Sequence, residues 1–326
     1  MDRTDIEEFL GGDWLAVKAL IASSLKTDVP LLSTVNENIL EHSGKRLRPM
    51  ISLLMARACG NGRAVEDSIR FAVATELLHN ATLLHDDVVD DSGERRGMPT
   101  VNALLGGHAS VLVGDFWLVK AMESILGSEK PMFGVGRVFS KTLSDLAEGE
   151  MLQLQKAGSA DTTMDDYIKI IFSKTASLFR AACECAAISV DAPEEYVRAA
   201  CRYGECLGLA FQIKDDILDY DGKDLGKPVG MDLMEQKITL PLLGAFQVAG
   251  AGEEERVRAM VRDIHGHPEY AGAIREFVER TGGVHYAMMR LQEYAGKAGE
   301  ALDVLPDSKE KDYLKKLAEY TVYRQI

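Results

Sequence analysis

The sequence contains two acidic clusters with the same spacing, D-D-x-x-D, and their side chains are of the kind that binds hard cations. The first cluster lies in LLHDDVVDDSGERRG and contains Asp86, Asp87 and Asp90. The second lies in FQIKDDILDYDG and contains Asp215, Asp216 and Asp219. Each follows an apolar run with helical periodicity, so we expect each cluster near the end of a long helix.

Crowded carboxylates at a helix C-terminus repel one another and the negative end of the helix dipole. A bound cation relieves both effects. Oxygen ligands without Cys or a His pair favour Mg²⁺, which binds few carboxylates, several waters and substrate phosphate oxygens. One cluster alone fits a solvated helix end equally well. Two copies on facing helices could hold several Mg²⁺ ions around one diphosphate, so the repeat favours metal-assisted chemistry.

Basic residues are concentrated beside these clusters, although the formal net charge of the chain is −14. That charge opposes sequence-independent binding of nucleic acid, so we expect no nucleic-acid partner. Any one of the basic residues is more often a solvated surface charge. Their position beside the clusters favours diphosphate binding, in which Arg makes bidentate contacts and Lys provides a point charge. They are Lys45, Arg46, Arg48, Arg95, Arg96, Lys174, Lys227 and Lys237.

The elements that position these residues are predicted to be helices, because apolar residues recur at spacings of three and four throughout the chain. Between 67 and 90, one such stripe is predicted to face the core. A second helix is predicted from an N-cap at Asp191 to about Asp219. The stripe consists of Ile69, Val73, Leu77, Ala81 and Leu84.

No break between helices is long enough to be a linker, so we expect an all-α, large single-domain helical bundle over residues 1–326. The chain starts MDRTDIEEFLGGDW, which differs from a signal peptide, and no apolar run approaches the roughly 18 residues needed to span a bilayer. We therefore expect a cytoplasmic protein. The five cysteines show no zinc-site spacing and are expected to be buried thiols.

The sequence resembles the trans-type polyprenyl-diphosphate synthases over nearly its whole length. The motifs that carry the resemblance occur in the order of that family: GKRLRP, HNATLLHDDVVDDSGERRGMPT, VLVGDF, AEGEMLQL, SKTASLF, FQIKDDILDY, GKPVGMDL and KITLPLL. HNATLLHDDVVD is similar to the long-chain, octaprenyl-type members. The resemblance implies the isoprenoid synthase type I fold, with a central substrate cavity, and a homodimer.

Carried over to this sequence, the resemblance implies that the six aspartates bind Mg²⁺ around the allylic diphosphate, with about two or three ions per site. Asp86, Asp87, Asp90, Asp215, Asp216, Lys174 and Lys227 are the expected catalytic residues. The positions that match the isopentenyl diphosphate site are Lys45, Arg48, His79 and Arg96. Those that match the surroundings of the allylic diphosphate are Arg95, Lys174, Thr175, Gln212, Lys227 and Lys237.

The expected reaction begins when Mg²⁺ and cationic side chains draw the diphosphate away from an allylic substrate, either farnesyl or geranylgeranyl diphosphate. The remaining carbocation must be shielded from water. The double bond of isopentenyl diphosphate then attacks it, and the departed diphosphate accepts the proton that is lost. Each cycle lengthens an all-trans chain by one isoprene unit, and the apolar product makes at most peripheral contact with a membrane.

Product length is expected to depend on Ala81 and Thr82, which lie one turn or a little more below Asp86 at 1.5 Å per residue. Both are too small to block a growing chain, and the nearest aromatic side chain further down the helix is Phe71. A deep tunnel is therefore expected. Candidates for its lower wall, each more often an ordinary core residue, are Met122, Ile125, Phe133 and Phe139.

Two departures from the family pattern and three alternatives remain. Gln236 stands where the family has a glycine before the K-x-T-L-P-L-L stretch, and the C-terminus leaves open whether Arg324 reaches the isopentenyl site. The pair His85-Asp86 would also suit an HD-type metal phosphohydrolase, which leaves the second cluster unexplained. A class I terpene cyclase would retain only the first cluster. A non-catalytic partner subunit would be expected to lose aspartates, whereas all six are present.

Overall fold

A computed structural model describes residues 3–42, 44–95, 97–128, 132–220 and 230–324, without the side chains of Met132 and Phe133. The predicted site residues Arg96 and Lys227 lie outside the described residues, as does the side chain of Phe133. The described chain is helical, apart from a two-stranded hairpin, which confirms the predicted all-α class. Among the described residues, no helix has the length and apolarity needed to cross a membrane.

The helices and strands follow one another with short connections. In chain order they are α1 (Arg3–Leu10), α2 (Gly12–Ser24), α3 (Pro30–Glu41), α4 (Leu47–Cys59), α5 (Glu66–Val89), β1 (Glu94–Arg95), β2 (Met98–Pro99), α6 (Val101–Leu105), α7 (Gly107–Leu126), α8 (Met132–Ser159), α9 (Met164–Ile171), a π turn (Phe172–Ala176), α10 (Ser177–Ser189), α11 (Glu194–Tyr220), α12 (Met231–Met234), α13 (Leu240–Phe246), α14 (Ala251–Arg262), α15 (Tyr270–Thr281), α16 (Gly283–Ala301) and α17 (Lys309–Tyr323).

The chain forms two compact units. Unit 1 contains residues 1–139, 181–201 and 304–314, and unit 2 contains residues 140–180, 202–303 and 315–326. The first acidic cluster belongs to unit 1 and the second to unit 2. The expectation of one domain over the whole chain stays a prediction.

The core of unit 1 is built around α5, which contacts α2, α4 and α7. Val73, Leu77, Ala81 and Leu84 of the predicted stripe are buried, whereas Ile69 at the start of the helix is partly exposed. Every residue from 71 to 78 is buried, so the helix is covered on all sides over this stretch. The first acidic cluster is therefore attached to a helix whose middle is fully enclosed in the core of unit 1.

The core of unit 2 contains α13, which begins with the last four residues of the KITLPLL stretch and contacts α16. Two glycines allow this contact. A Cβ at Gly244 would lie 2.7 Å from the ring of Tyr286, and one at Gly283 would lie 2.1 Å from the carbonyl oxygen of Pro241. The close contact buries Leu240, Leu242 and Leu243.

The predicted N-cap of the second long helix is wrong. α11 begins at Glu194, after Pro193, while Asp191 has a left-handed backbone with φ of 52°. Its N–H donates to the carbonyl of Ile188, so Asp191 closes the preceding helix instead of opening the next one. Asp tolerates this conformation better than most residues, so the same side chain type suits either role.

The cysteines are buried as predicted, except that Cys201 is partly exposed. Burial raises the pKa of the Cys59 thiol to about 12 and that of Cys206 to about 11. Because the thiolate is the reactive form, these thiols are poor nucleophiles and poor metal ligands.

Candidate active site

The first acidic cluster occupies the last turn of α5. Asp90 is the C-cap, and its N–H donates to the carbonyl of Asp86 at 2.8 Å. Asp91 then adopts φ of 47° and ends the helix. Asp86 is partly exposed and Asp90 is exposed, so both carboxylates can be reached from solvent.

Asp87 differs from its two neighbours, because its side chain is only 6% exposed and forms an ion pair. Nε and Nη2 of Arg95 lie 2.8 and 2.7 Å from its Oδ1. Arg95 is held on the hairpin, whose end is fixed by a hydrogen bond from Thr100 to the carbonyl of Ser92. The charge of Asp87 is thus balanced within the protein, and Arg95, predicted at the allylic diphosphate, lies beside the first cluster.

His85, which precedes the cluster, is seated against α7. A Cβ on Gly114 would lie 2.4 Å from Nε2 of His85, so only glycine leaves room for this ring. Asp115 places an oxygen 3.3 Å from the same nitrogen. The VLVGDF motif thereby supplies the surface on which the end of α5 rests, a contact that the sequence does not reveal.

The remaining predicted residues of unit 1 lie on α4, on α5 and in the segment before α4. Lys45 is exposed, while Arg48 and His79 are partly buried. Arg46 has a left-handed backbone and donates to the carbonyl of Leu40 at 3.2 Å, which gives this arginine a structural role. Burial lowers the pKa of the Arg46 guanidinium.

The product-length candidates lie one turn below the first cluster. Ala81 is 1% exposed, and the hydroxyl of Thr82, which is partly exposed, donates to the carbonyl of His79 at 2.8 Å. Phe71, the nearest aromatic residue further down α5, is fully buried. The role of Ala81 and Thr82 in product length stays a prediction, as does the tunnel.

The second acidic cluster lies in the last two turns of α11, and its first aspartate pairs with the C-terminal segment. Nη2 of Arg324 lies 2.5 Å from Oδ1 of Asp215. The Arg324 side chain is 7% exposed, and its guanidinium carbon lies 3.9 Å from the centre of the Phe211 ring. Asp215 itself is 42% exposed. Arg324 therefore contacts the second cluster within unit 2.

Asp216 is buried and accepts hydrogen bonds at both oxygens. Tyr167 donates to Oδ2 at 2.6 Å, and Gln212 donates to Oδ1 at 2.9 Å. The amide oxygen of Gln212 accepts in turn from the Thr175 hydroxyl at 2.7 Å. Burial raises the pKa of Asp216 to about 7, although the bonds from Tyr167 and Gln212 lower it. The structure therefore links Thr175 and Gln212, both predicted site residues, to the second cluster.

Asp219 is engaged by backbone groups at the start of α12. Its Oδ1 accepts from the N–H groups of Gly230 and Met231 at 3.2 and 3.1 Å, and its Oδ2 accepts from that of Asp232 at 3.2 Å. Asp219 thus supplies an acceptor to N–H groups that a helix N-terminus leaves without intrahelical partners. This capping role was not predicted from the sequence.

Three residues of unit 2 near the second cluster were not predicted from the sequence. Two contact predicted site residues, and the third adds a carboxyl group close to Asp216 and Asp219. Tyr167 binds Asp216, and Glu150 forms an ion pair with Lys174. Burial, followed by the charges of Asp216 and Asp219, raises the pKa of Asp232 well above its ordinary value. Asp232 is present in GKPVGMDL and Glu150 in AEGEMLQL, so a place in a recognised motif was the available signal for these two residues.

Lys237 and Gln236 lie in the turn after α12. Lys237 forms an ion pair with Glu235. Gln236, the departure from the family glycine, has φ of 57°, a conformation that glycine adopts more easily. Its side-chain amide donates to the carbonyl of Arg262 at 2.6 Å, which partly offsets the conformational cost.

The donors of both clusters fit a hard divalent cation, although no three of the described His, Cys, Asp and Glu side chains lie close enough together to form a complete metal site. Mg²⁺ usually retains waters and takes oxygen ligands from substrate phosphate, so a few carboxylates suffice. The repulsion between Asp216, Asp219 and Asp232 would also fall when a cation binds nearby. The two clusters therefore fit a cation that is bound partly by the aspartates and partly by a diphosphate.

Comparison with known proteins agrees with this chemistry. The sequence model of the polyprenyl synthetase family matches residues 29–279. The octaprenyl diphosphate synthase of Escherichia coli K12 is 40% identical over 329 aligned positions, which cover 99% of each chain. The match therefore covers both acidic clusters and both units.

Two solved structures have the same fold. The decaprenyl diphosphate synthase of Rhodobacter capsulatus superposes with a TM-score of 0.91 at 36% identity, over 100% of each chain. A polyprenyl synthase of Caulobacter crescentus, solved in complex with calcium and isoprenyl diphosphate, gives 0.91 at 34% identity, over 100% of this chain and 98% of that one. Both likenesses are high enough to establish the isoprenoid synthase type I fold.

These findings decide between the alternatives left open by the sequence. A phosphohydrolase, a terpene cyclase and a non-catalytic subunit do not account for a match to prenyl-transferring enzymes along the full chain. Enzymes of this kind generally use Mg²⁺ or another divalent metal. The chain therefore belongs to the polyprenyl synthetase family of prenyltransferases.

Proposed function

We propose that the protein condenses isopentenyl diphosphate with farnesyl or geranylgeranyl diphosphate and makes a long all-trans polyprenyl diphosphate. The observation that carries this proposal is the retention of both aspartate clusters, each supported by its own network of contacts. The similarity to an octaprenyl synthase over the full chain supports a long product.

Asp86, Asp90 and Asp215 are the residues that we assign to direct cation contact, because their carboxylates are partly or fully exposed. Asp87, Asp216 and Asp219 are engaged by Arg95, by Tyr167 and Gln212, and by backbone N–H groups. We assign them to shaping the charge around the ions. When bound, Mg²⁺ supplies the positive charge that the leaving diphosphate requires.

The basic residues complete the proposed substrate sites. Arg95, Lys174, Thr175, Gln212, Lys227 and Lys237 are assigned to the allylic diphosphate, and Lys45, Arg48, His79 and Arg96 to isopentenyl diphosphate. Lys174 is held by Glu150 in this structure and would exchange that partner for a diphosphate oxygen. Such charge-assisted contacts strengthen as negative charge develops on the leaving group.

The bond changes follow from these assignments. The allylic carbon–oxygen bond breaks, and both electrons leave with the diphosphate. The terminal alkene carbon of isopentenyl diphosphate then forms the new carbon–carbon bond. The adduct loses one proton, and we assign its acceptance to the departed diphosphate.

The first experiment incubates the protein with labelled isopentenyl diphosphate, Mg²⁺ and each of dimethylallyl, geranyl, farnesyl and geranylgeranyl diphosphate, and sizes the dephosphorylated products. Long products that disappear with EDTA support the proposal. If the products end at farnesyl or geranylgeranyl diphosphate, the condensation reaction is supported but the prediction of a deep tunnel is refuted. Ala81→Phe is expected to shorten the products without abolishing condensation, because a bulky ring would replace a methyl group below Asp86.

A homodimer belongs to the same proposal. Unit 1 exposes several large apolar side chains on the consecutive helices α6 and α7, whereas single exposed apolar residues are normal on a protein surface. They are Leu104, Leu105, Val111, Leu112 and Val119. A second copy of the chain is the occupant that the family resemblance implies. Light scattering on Leu112→Glu is expected to show a smaller particle than the wild type, whereas Leu15→Glu, equally exposed on α2, leaves the mass unchanged.

We also propose a cytoplasmic location with at most transient contact between the apolar product and a membrane surface. Cell fractionation tests this directly. Recovery of the protein mainly in washed membranes would contradict it.

A further inference from the structure

Lys174 and Thr175 lie on the π turn, which interrupts one continuous helical segment between α9 and α10. A π turn contains one residue more than an α-helical turn, and such turns are frequent at functional sites. Thr175 and Tyr167 both join the network of Asp216 on α11. On a regular helix, these two residues would lie about 80° apart around the axis, because they are eight positions apart. The extra residue reduces this angle and brings both towards α11.

Two glycines on neighbouring helices leave room for the π turn. Gly149 on α8 lies so close that a Cβ there would be 2.5 Å from Cβ of Ser173 and 3.3 Å from the backbone nitrogen of Lys174. Gly208 on α11 lies on another side, where a Cβ would be 2.5 Å from Cα of Ala176. Neither contact could be relieved by rotating a flexible side chain, because the atoms met belong to the backbone or are attached to it.

A buried serine supports the same turn. The Ser177 hydroxyl, on a side chain that is 3% exposed, donates to the carbonyl of Ser173 at 2.7 Å. The wider turn disturbs the regular hydrogen bonding between residues i and i−4. The Ser177 hydroxyl therefore supplies a donor to the buried carbonyl of Ser173. Close contact with the two glycines and this hydrogen bond therefore fix the backbone that carries Lys174.

We propose that Gly149, Gly208 and Ser177 are positioning residues for the allylic diphosphate, acting through the π turn. They hold Lys174 towards Glu150 and Thr175 towards Gln212, so that both side chains are oriented before the substrate binds. This inference rests on the proposed function, which assigns Lys174 and Thr175 to that diphosphate. Such orientation lowers the cost of ordering the side chains on binding.

The decisive variant is Gly149→Ala, with Gly158→Ala as its matched control on the same helix, where a Cβ would meet nothing within 4 Å. We expect Gly149→Ala to raise the KM for the allylic diphosphate about tenfold or more, since a displacement of about 1 Å is costly for such contacts. The KM for isopentenyl diphosphate should stay within about twofold, since the π turn carries none of the residues that we assign to that substrate.

Binding of inorganic pyrophosphate provides a readout that does not depend on turnover. Calorimetry with Mg²⁺ should show weaker binding to Gly149→Ala and wild-type binding to Gly158→Ala. In Gly149→Ala/Ser173→Gly the nearest obstructing atom is removed, so affinity should be largely restored. Wild-type affinity in a folded Gly149→Ala protein, or an equal rise in both KM values, would overturn the proposal.

If Gly149→Ala does not fold, the Ser177→Ala variant tests the role of the π turn instead, because this substitution adds no volume. We expect it to weaken pyrophosphate binding several-fold, and unchanged affinity would overturn the proposal. The two levels of inference remain distinguishable. A wild-type protein that condenses no primer refutes the proposed function, whereas an active wild type with an unaffected Gly149→Ala refutes only the role of the π turn.

Discussion

The two aspartate clusters share one sequence pattern but differ in which member of their ion pair is buried. In the first cluster Asp87 is the buried member, at 6% exposure, and Arg95 is 36% exposed. In the second the order is reversed, since Arg324 is 7% exposed and Asp215 is 42% exposed. The same spacing therefore places a buried negative charge at one site and a buried positive charge at the other, so roles cannot be transferred between the clusters position by position.

The remaining aspartates differ as well. Asp86 and Asp90 of the first cluster are open to solvent to different degrees, whereas Asp216 and Asp219 of the second accept hydrogen bonds from neutral groups at both oxygens. A carboxylate that is buried and hydrogen-bonded at both oxygens gains less from a cation than one that a cation can reach from solvent. We therefore expect unequal effects from equivalent substitutions.

The largest expected effect concerns activity. Asp86→Ala should lower kcat/KM by about 10²- to 10³-fold, because it removes a direct contact to the charge that stabilises the leaving group. Asp216→Asn should cost only about tenfold, since this side chain acts through the position of its neighbours. Steady-state kinetics with saturating Mg²⁺ measures both. Equal losses would mean that the two clusters use their aspartates alike.

The next effect concerns stability. Arg95→Gln leaves Asp87 buried without its counter-ion and should lower the free energy of unfolding by about 1–3 kcal/mol at neutral pH. Asp215→Asn likewise leaves the buried Arg324 without its counter-ion, with a loss of similar size.

Urea unfolding of both variants and the wild type at pH 7.5, without metal, measures these losses. A variant that is as stable as the wild type would contradict the assignment of the buried member in its ion pair.

A smaller effect is expected at Tyr167. Tyr167→Phe removes one of two hydrogen bonds to the buried Asp216 and should cost about 1–2 kcal/mol of unfolding free energy. Tyr323→Phe is the control, because Tyr323 is 78% exposed and should change stability little. If both variants unfold at the same urea concentration, the network does not hold Asp216 in place.

The smallest effect is expected at the turn after the second cluster. Gln236→Gly relieves a left-handed backbone but loses the bond to Arg262, so the net change should stay within about 1 kcal/mol. Gln236→Ala loses the bond and keeps the strain, so it should be less stable than the glycine variant. The opposite order in thermal unfolding would show that the backbone conformation of Gln236 is not strained.

The all-α class and the place of both clusters could be predicted because they depend on local signals. Apolar periodicity is a property of a short stretch of chain, and both clusters lie late in long helices as expected. The predicted N-cap at Asp191 failed for a related reason, since Asp also suits the end of the preceding helix. Local residue preference does not decide between two adjacent roles.

The contacts that divide the roles of the aspartates could not be predicted, because they join residues far apart in the chain. The pairing of Arg324 with Asp215 and the bond from Tyr167 to Asp216 depend on packing within unit 2. Capping by Asp219 depends on where α12 begins. The π turn depends on Gly149 and Gly208, neither of which neighbours it in sequence.

The enclosure of α5 has a consequence for how the enzyme would lose activity on heating. Residues 71 to 78 of this helix are buried, and the first cluster lies at its C-terminal end. Backbone amides in such a helix exchange with deuterium only when the surrounding structure opens cooperatively. Slow exchange along α5 should therefore persist up to the temperature at which turnover is lost, and inactivation should follow the melting of unit 1.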